Sequence, residues 1–256
     1  MGQPMMMDLI RVAVALSALS YASWKDVKTR EISDLPWFII GGTGLILDIY
    51  GIWTGELRLD FTVISLGFAA IFALSAFVFK IMGEADALAI AAIALIHPMS
   101  PYIGFTPFLF PPVLFVLSVV SNSVLIGAAL FIYVLAMNLL VSKAGLFSGL
   151  QKLPLWKKAV LLVTSRRVKL GEEIKPPFHY PLEKYVEGET EHTIVLRPNI
   201  WDDKQAIREF DVLRERKVKY VWVSTTLPFI LNILLGYIMA LVIGDVLLKA
   251  VSLVLG

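Results

Sequence analysis

Asp26 and Asp86 stand apart from the other acids of this 256-residue chain, because each sits where an apolar run meets a polar stretch. Asp26 follows the run Leu9–Trp24, within Ser23-Trp24-Lys25-Asp26-Val27-Lys28-Thr29-Arg30-Glu31-Ile32-Ser33-Asp34. Asp86 opens the run Ala87–Ile96, as the last residue of Gly83-Glu84-Ala85-Asp86. A charge at membrane depth costs several kcal/mol, so acids placed there mark catalytic sites, proton relays or ion paths. Two carboxyl groups held close cannot both ionise cheaply; they share a proton, and one can act as base while the other acts as acid. Each residue also has a plainer explanation. An Asp before Ala-Leu-Ala-Ile can cap a helix N-terminus, and Asp26 can pair with Lys25, Lys28 or Arg30. The remaining acids near apolar runs read as boundary residues: Asp8, Glu56 and Asp60 in or beside outer loops, Asp48 and Asp245 toward outer ends of spans, capped or solvated.

The elements that must position this pair are membrane spans. Hydrophobic residues make up 57% of the chain and charged ones 17%, with a mean hydropathy of +0.75, against about 45–50% and about 25% in soluble domains. Apolar runs at Leu9–Trp24, Leu35–Trp53, Phe61–Ile81, Pro112–Val141 and Val221–Leu248 approach the roughly 20 residues that cross a bilayer. A shorter run, Ala87–Ile96, stops at His97-Pro98, and the uncharged Tyr102–Phe110 then completes the crossing or re-enters. The expected fold is all-α and polytopic: six transmembrane helices, with a small α+β cytoplasmic domain between helices 5 and 6. Residues 1–141 hold the first five helices and the catalytic loops, 142–220 the cytoplasmic domain, and 221–256 the last helix and the C-terminal tail.

Basic residues set the orientation. Lys25, Lys28 and Arg30 follow the first span, Lys80 the third, and 16 of the 23 Lys and Arg lie between Lys143 and Lys219. The other face keeps Arg11, Arg58 and Lys249. The positive-inside rule then places both termini outside and both acids at the cytoplasmic face of the cell membrane. Within 142–220, the basic amphipathic piece Trp156–Arg167 is expected on the anionic membrane surface, followed by a Pro-rich middle, a strand-like Thr193–Leu196 and a charged helix from Asp202. The first run resembles a cleavable signal peptide only loosely, because its basic cluster follows the apolar stretch.

Several classes fall away. The chain has no cysteine, hence no disulfide, thiolate metal site or cysteine nucleophile. His97, His179 and His192 lack ligand spacing and read as loop or interface residues, so no metal or other cofactor is expected. Gly41-Gly42-Thr43-Gly44 lies inside an apolar run with no following Lys-Ser/Thr and is not a phosphate loop. Asn122, Asn138 and Asn232 read as hydrogen-bond formers between helices. Nothing suggests nucleic-acid binding, and oligomeric state is not legible. From the residues alone, an ion- or proton-coupled transporter using the same acids and a noncatalytic membrane scaffold both stay open.

The motifs resemble those of archaeal prepilin and preflagellin (archaellin) peptidases, within the GxGD membrane aspartic peptidases. Asp26 with Arg30, Ile32 and Asp34 is similar to the family's loop after span one, Gly83-Glu84-Ala85-Asp86 to GxGD, and Val221–Pro228 with Ile243-Gly244-Asp245 to the last span. The resemblance implies that Asp26 and Asp86 form a catalytic dyad that activates water, in an aspartic endopeptidase that removes leader peptides from pilin-like or archaellin precursors. It also implies motif or substrate-binding roles for Gly83, Glu84, Ala85, Arg30, Glu31 and Asp34. Ala85 departs from the usual glycine by one methyl group. Bacterial relatives add a cysteine-rich insert and N-methyltransfer; without cysteines, this chain is expected to cleave without methylating. Residues 142–220 match the family's pattern poorly, and nothing functional is carried onto them.

Overall fold

The computed structural model describes residues 3–78, 83–101, 114–141, 145–148, 150, 153–185, 192–200, 202–225 and 228–255. In chain order its elements are α1 (Gln3–Thr29), α2 (Leu35–Thr54), α3 (Leu59–Phe77), α4 (Glu84–Ile96), α5 (Phe115–Val141), α6 (Leu155–Thr164), β1 (Ser165–Lys169), β2 (His179–Pro181), β3 (Glu183–Tyr185), β4 (His192–Ile194), α7 (Asp203–Glu215), β5 (Tyr220–Thr225), α8 (Phe229–Val242) and α9 (Val246–Leu255). The chain divides into two compact units, residues 1–127 with 228–256, and residues 128–227.

Among the described residues three helical segments are long and apolar enough to cross a bilayer: Met6–Thr29, Leu35–Thr54 and Phe115–Leu140. The pair Phe229–Val242 and Val246–Val254, bent by 54°, adds a fourth if read as one broken span. The six expected spans thus differ from the observed helices in three places. The apolar part of α3, Leu59–Ser75, is shorter than a full span. α4 has 13 residues, about 20 Å at 1.5 Å per residue, well under the roughly 30 Å of hydrocarbon. The start of the run Val221–Leu248 is strand rather than helix: β5 is Tyr-Val-Trp-Val-Ser-Thr, rich in β-branched and aromatic residues that suit a pleated surface, and hydropathy alone does not separate it from the helix that follows. The stretch Tyr102–Phe110, Lys80 and Lys143 lie outside the described residues.

α4 is the centre of the first unit. Ala87, Ala89, Ile90, Ala91, Ala92, Ile93, Ala94 and Ile96 are all buried, as expected of an apolar helix packed by neighbours over most of its surface. α1, α2, α3 and α8 supply those neighbours. Small side chains let the backbones close in: a Cβ built at Gly44 of α2 would stand 2.7 Å from Ile96 Cα and from the Leu95 carbonyl oxygen.

The helix ends at His97-Pro98, where proline cannot continue the hydrogen-bond ladder, and its last carbonyls need other donors. Ser65 Oγ of α3 bonds the Ala94 carbonyl. Arg11 Nη1 of α1 donates to the Ile96 carbonyl at 2.6 Å and pairs with Asp48 Oδ1 of α2 at 2.7 Å. His97 Nε2 and Tyr237 Oη of α8 lie 2.7 Å apart. These contacts correct one expectation and sharpen another. Asp48 is no solvated boundary acid but a buried member of an ion pair, and His97, 1% exposed, is an interface residue between helices rather than a loop residue. Asp245 is capped as expected, though as a cap itself: its Oδ1 accepts from Leu248 N at 2.9 Å and starts α9 after the break. Asn122 fixes the same break by donating to the Gly244 carbonyl and accepting from Val246 N.

The second unit is α+β. A three-stranded antiparallel sheet in the order β1-β5-β2 has β5 at its centre. Alternation along β5 sends Trp222 to a cluster with Leu150, Leu161, Leu182 and Ile194, and Val221 and Val223 to another with Ile174, Phe210 and Leu213 of α7. The expected charged helix is α7, with Asp202 accepting from Gln205 N at 2.9 Å as its N-cap. The expected strand at 193–196 is β4, which pairs with β3. The basic amphipathic piece is helical only to Thr164; Arg166 and Arg167 lie on β1. Asn138 links helices as expected, donating to the Leu162 and Ser165 carbonyls.

Candidate active site

α1 is amphipathic in burial: Ala15, Leu19, Ala22, Ser23 and Asp26 recur at helical spacing and are all buried. Asp26 therefore stands on the face that packs into the first unit, one turn before the helix ends. Its Oδ2 accepts from the Ile230 amide at 3.2 Å and its Oδ1 faces Arg30 Nη1 at 3.4 Å. Ile230 is the second residue of α8, so Asp26 receives one of the unpaired N–H groups of a helix N-terminus, where the dipole favours an anion. Ser23 ties the same turn down, its Oγ donating to the Ile230 carbonyl at 3.3 Å. Sequence reasoning missed this contact, since a backbone donor leaves no side-chain signature; Pro228, at the N-cap of α8, was the available hint.

Arg30 has φ 59°, a left-handed conformation that costs an ordinary residue roughly 1–2 kcal/mol. Its amide still reaches the Asp26 carbonyl at 3.2 Å, so the turn that ends α1 also brings the guanidinium to the carboxylate. Of the alternatives for pairing Asp26, Arg30 is the one observed. Lys28 instead lies over the Trp24 ring, 4.6 Å from its centroid.

Asp86 does not cap α4. The N-cap is Gly83, at φ −60° and ψ 144°, which puts Asp86 at the third helical position, still within the favourable end of the dipole. Gly83 matters for space rather than for backbone freedom: a Cβ there would stand 2.9 Å from Asp86 Oδ2. Ala85 turns toward the core, while Glu84 is exposed. Burial, and then the charge of Asp26, push Asp86 up to about 7. The two acids, 60 positions apart in the chain, are thus near enough for one carboxylate to act on the other.

Glu31 and Asp34 are exposed and do not join the pair. Asp34 stands at the N-cap of α2 without a side-chain cap bond, and the Glu31 amide bonds Thr29 Oγ1 at 3.3 Å. Among the described residues no group of three or more His, Cys, Asp or Glu is arranged to hold a metal ion. Chemically, the site offers one carboxylate braced by a cation and an amide, and a second whose protonated form burial favours up to about pH 7.

Residues 13–132 match the Type IV leader peptidase family, and residues 157–246 match the Archaeal Peptidase A24 C-terminus Type II. The first match contains Asp26 and Asp86; the second contains β5 and Ile230 and covers much of the region whose sequence motifs matched poorly. The chain is similar to a preflagellin peptidase of Methanococcus voltae, 27% identical over 250 residues, covering 95% of this chain and 99% of that protein. It is also similar to a preflagellin peptidase of Methanocaldococcus jannaschii, 26% identical over 245 residues, covering 93% and 95%.

Proposed function

Because this chain belongs to the type IV leader peptidase family, we propose that it is a membrane-embedded aspartic endopeptidase that removes the leader from preflagellin- or pilin-like precursors, with Asp26 and Asp86 as its dyad. The observation that carries the reading is that Asp86, half-buried at the start of α4, feels the Asp26 charge, while no other acids among the described residues are so paired.

Asp26, with the Ile230 amide and Arg30 against it, is the ionised partner and the base. It takes a proton from water as the water oxygen attacks the scissile carbonyl, and Asp86 gives its proton to the carbonyl oxygen. Collapse of the tetrahedral species breaks the C–N bond, and the amine leaves with a proton returned through the dyad. The site lies at the cytoplasmic face of the cell membrane, the termini lie outside, and α3 and the run Ala87–Ile96 serve as the short third and fourth of six crossings. The exposed Glu31, Asp34 and Glu84 are positioned to receive the leader. On this reading Glu84→Gln raises KM for precursor more than it lowers kcat; unchanged kinetics would remove Glu84 from that role.

Co-expression with a candidate precursor tests the whole reading, scored by gel shift and N-terminal sequencing of the product. Wild type is expected to cleave, and Asp26→Asn and Asp86→Asn each to abolish cleavage while still inserting. Cleavage retained by both variants would overturn the dyad.

A further inference from the structure

Arg11 plays no part in the chemistry above, yet it is 5% exposed, and its Nη1 serves two partners from two other helices, Asp48 of α2 and the Ile96 carbonyl of α4. Burying such an ion pair gains little stability over a well-packed apolar pair of the same volume. What the pair does supply is register. The Ile96 carbonyl is one particular acceptor at the end of α4, and sliding α4 along α1 by a single residue, about 1.5 Å, would break the bond.

The two helices joined there are the two that carry the dyad. Asp26 lies fifteen residues beyond Arg11 on α1, about 22 Å away, and Asp86 lies ten residues before Ile96 on α4, about 15 Å away. The same end of α4 is held from α8 by the His97–Tyr237 bond, and α8 holds Asp26 through the Ile230 amide. α1, α4 and α8 thus form a closed frame, with Arg11 joining α1 to α4 directly.

We propose that Arg11, through the Ile96 carbonyl and Asp48, is a positioning residue that sets the separation of the Asp26 and Asp86 carboxyl groups from the far end of their helices. The proposal rests on the dyad reading. Misplacement of reacting groups by about 1 Å costs on the order of a hundredfold in rate, so the expected signature is a loss in kcat without loss of the fold.

The test uses the double variant Arg11→Met/Asp48→Leu in the full chain, reconstituted in bilayers and assayed on a precursor that wild type cleaves. Expected are a protein that still folds and inserts, KM within about twofold, kcat lower by roughly a hundredfold, and an alkaline limb of the rate profile displaced to lower pH as Asp86 moves away from the Asp26 charge. Wild-type kcat and an unmoved limb would overturn the proposal. So would a fall in kcat that merely tracks a fall in Tm. Should the double variant fail to insert, Arg11→Lys takes its place: it keeps the charge against Asp48 while shortening the reach to Ile96. The same kcat-only loss is expected of it, and full kcat overturns the proposal. A wild type that cleaves no precursor would instead overturn the dyad reading on which the frame depends.

Discussion

Among the described residues no hydrogen-bond donor reaches the Asp86 carboxylate, whereas Asp26 has both an amide and a guanidinium. On the proposed dyad reading, this asymmetry is what separates acid from base. Asp86 is held near 7 against an ordinary value of 3.8, by burial first and by Asp26 second. A raised acid is stabilised in its protonated form, so folding loses stability as pH rises from about 4 to about 7. The same sign governs rate: kcat/KM for precursor is expected to fall on the alkaline side with a midpoint near 7, read from initial rates between pH 5 and about 9. A flat profile across that range would remove Asp86 as the proton donor. The candidate acids themselves were legible in the sequence, because a carboxylate at the end of an apolar run is conspicuous. Their roles were not, since these depend on Ile230, 204 positions from Asp26, and on the space left above Asp86 by Gly83.

α4 shows where reading elements from hydropathy succeeds and where it stops. The run Ala87–Ile96 was visible as an apolar helix, and its Ala-rich composition is what lets four neighbours surround it. Hydropathy cannot say whether an apolar helix meets lipid or protein, and here it meets protein. The Gly44 contact is the sharpest instance, for the atoms a Cβ would meet belong to the α4 backbone and have no rotamer by which to yield. Gly44→Ala is therefore expected to destabilise by about 1–3 kcal/mol, seen as a lower Tm in detergent. An unchanged Tm would show that α2 and α4 part easily. Strand β5 marks the opposite limit: Val221–Val223 were read as span because apolar strand and apolar helix look alike over six residues. Only their partners, β1 and β2 on either side, decide the matter.

At the scale of the molecule, composition was enough to reveal a membrane protein with a polar insert, and the second unit contains that insert. Orientation is a matter of charge placement and is testable by labelling, because the chain has no cysteine of its own. Single cysteines at Glu31 and Lys204 are expected to react with an impermeant maleimide only after the membrane is opened, and one at Arg58, in the loop expected outside, before it. The reverse pattern would invert the expected topology and with it the face proposed for leader cleavage. The burial of α4 has one more consequence. With no exposed residue after Glu84 and only Ala85, Asp86, Leu88 and Leu95 half-buried, the helix that carries Asp86 presents little to acyl chains. Hydrophobic mismatch acts through the lipid-facing surface of a helix, so thinner or thicker bilayers tilt the outer helices without pulling on α4 directly, and Asp86 keeps its depth relative to the protein rather than to the lipid.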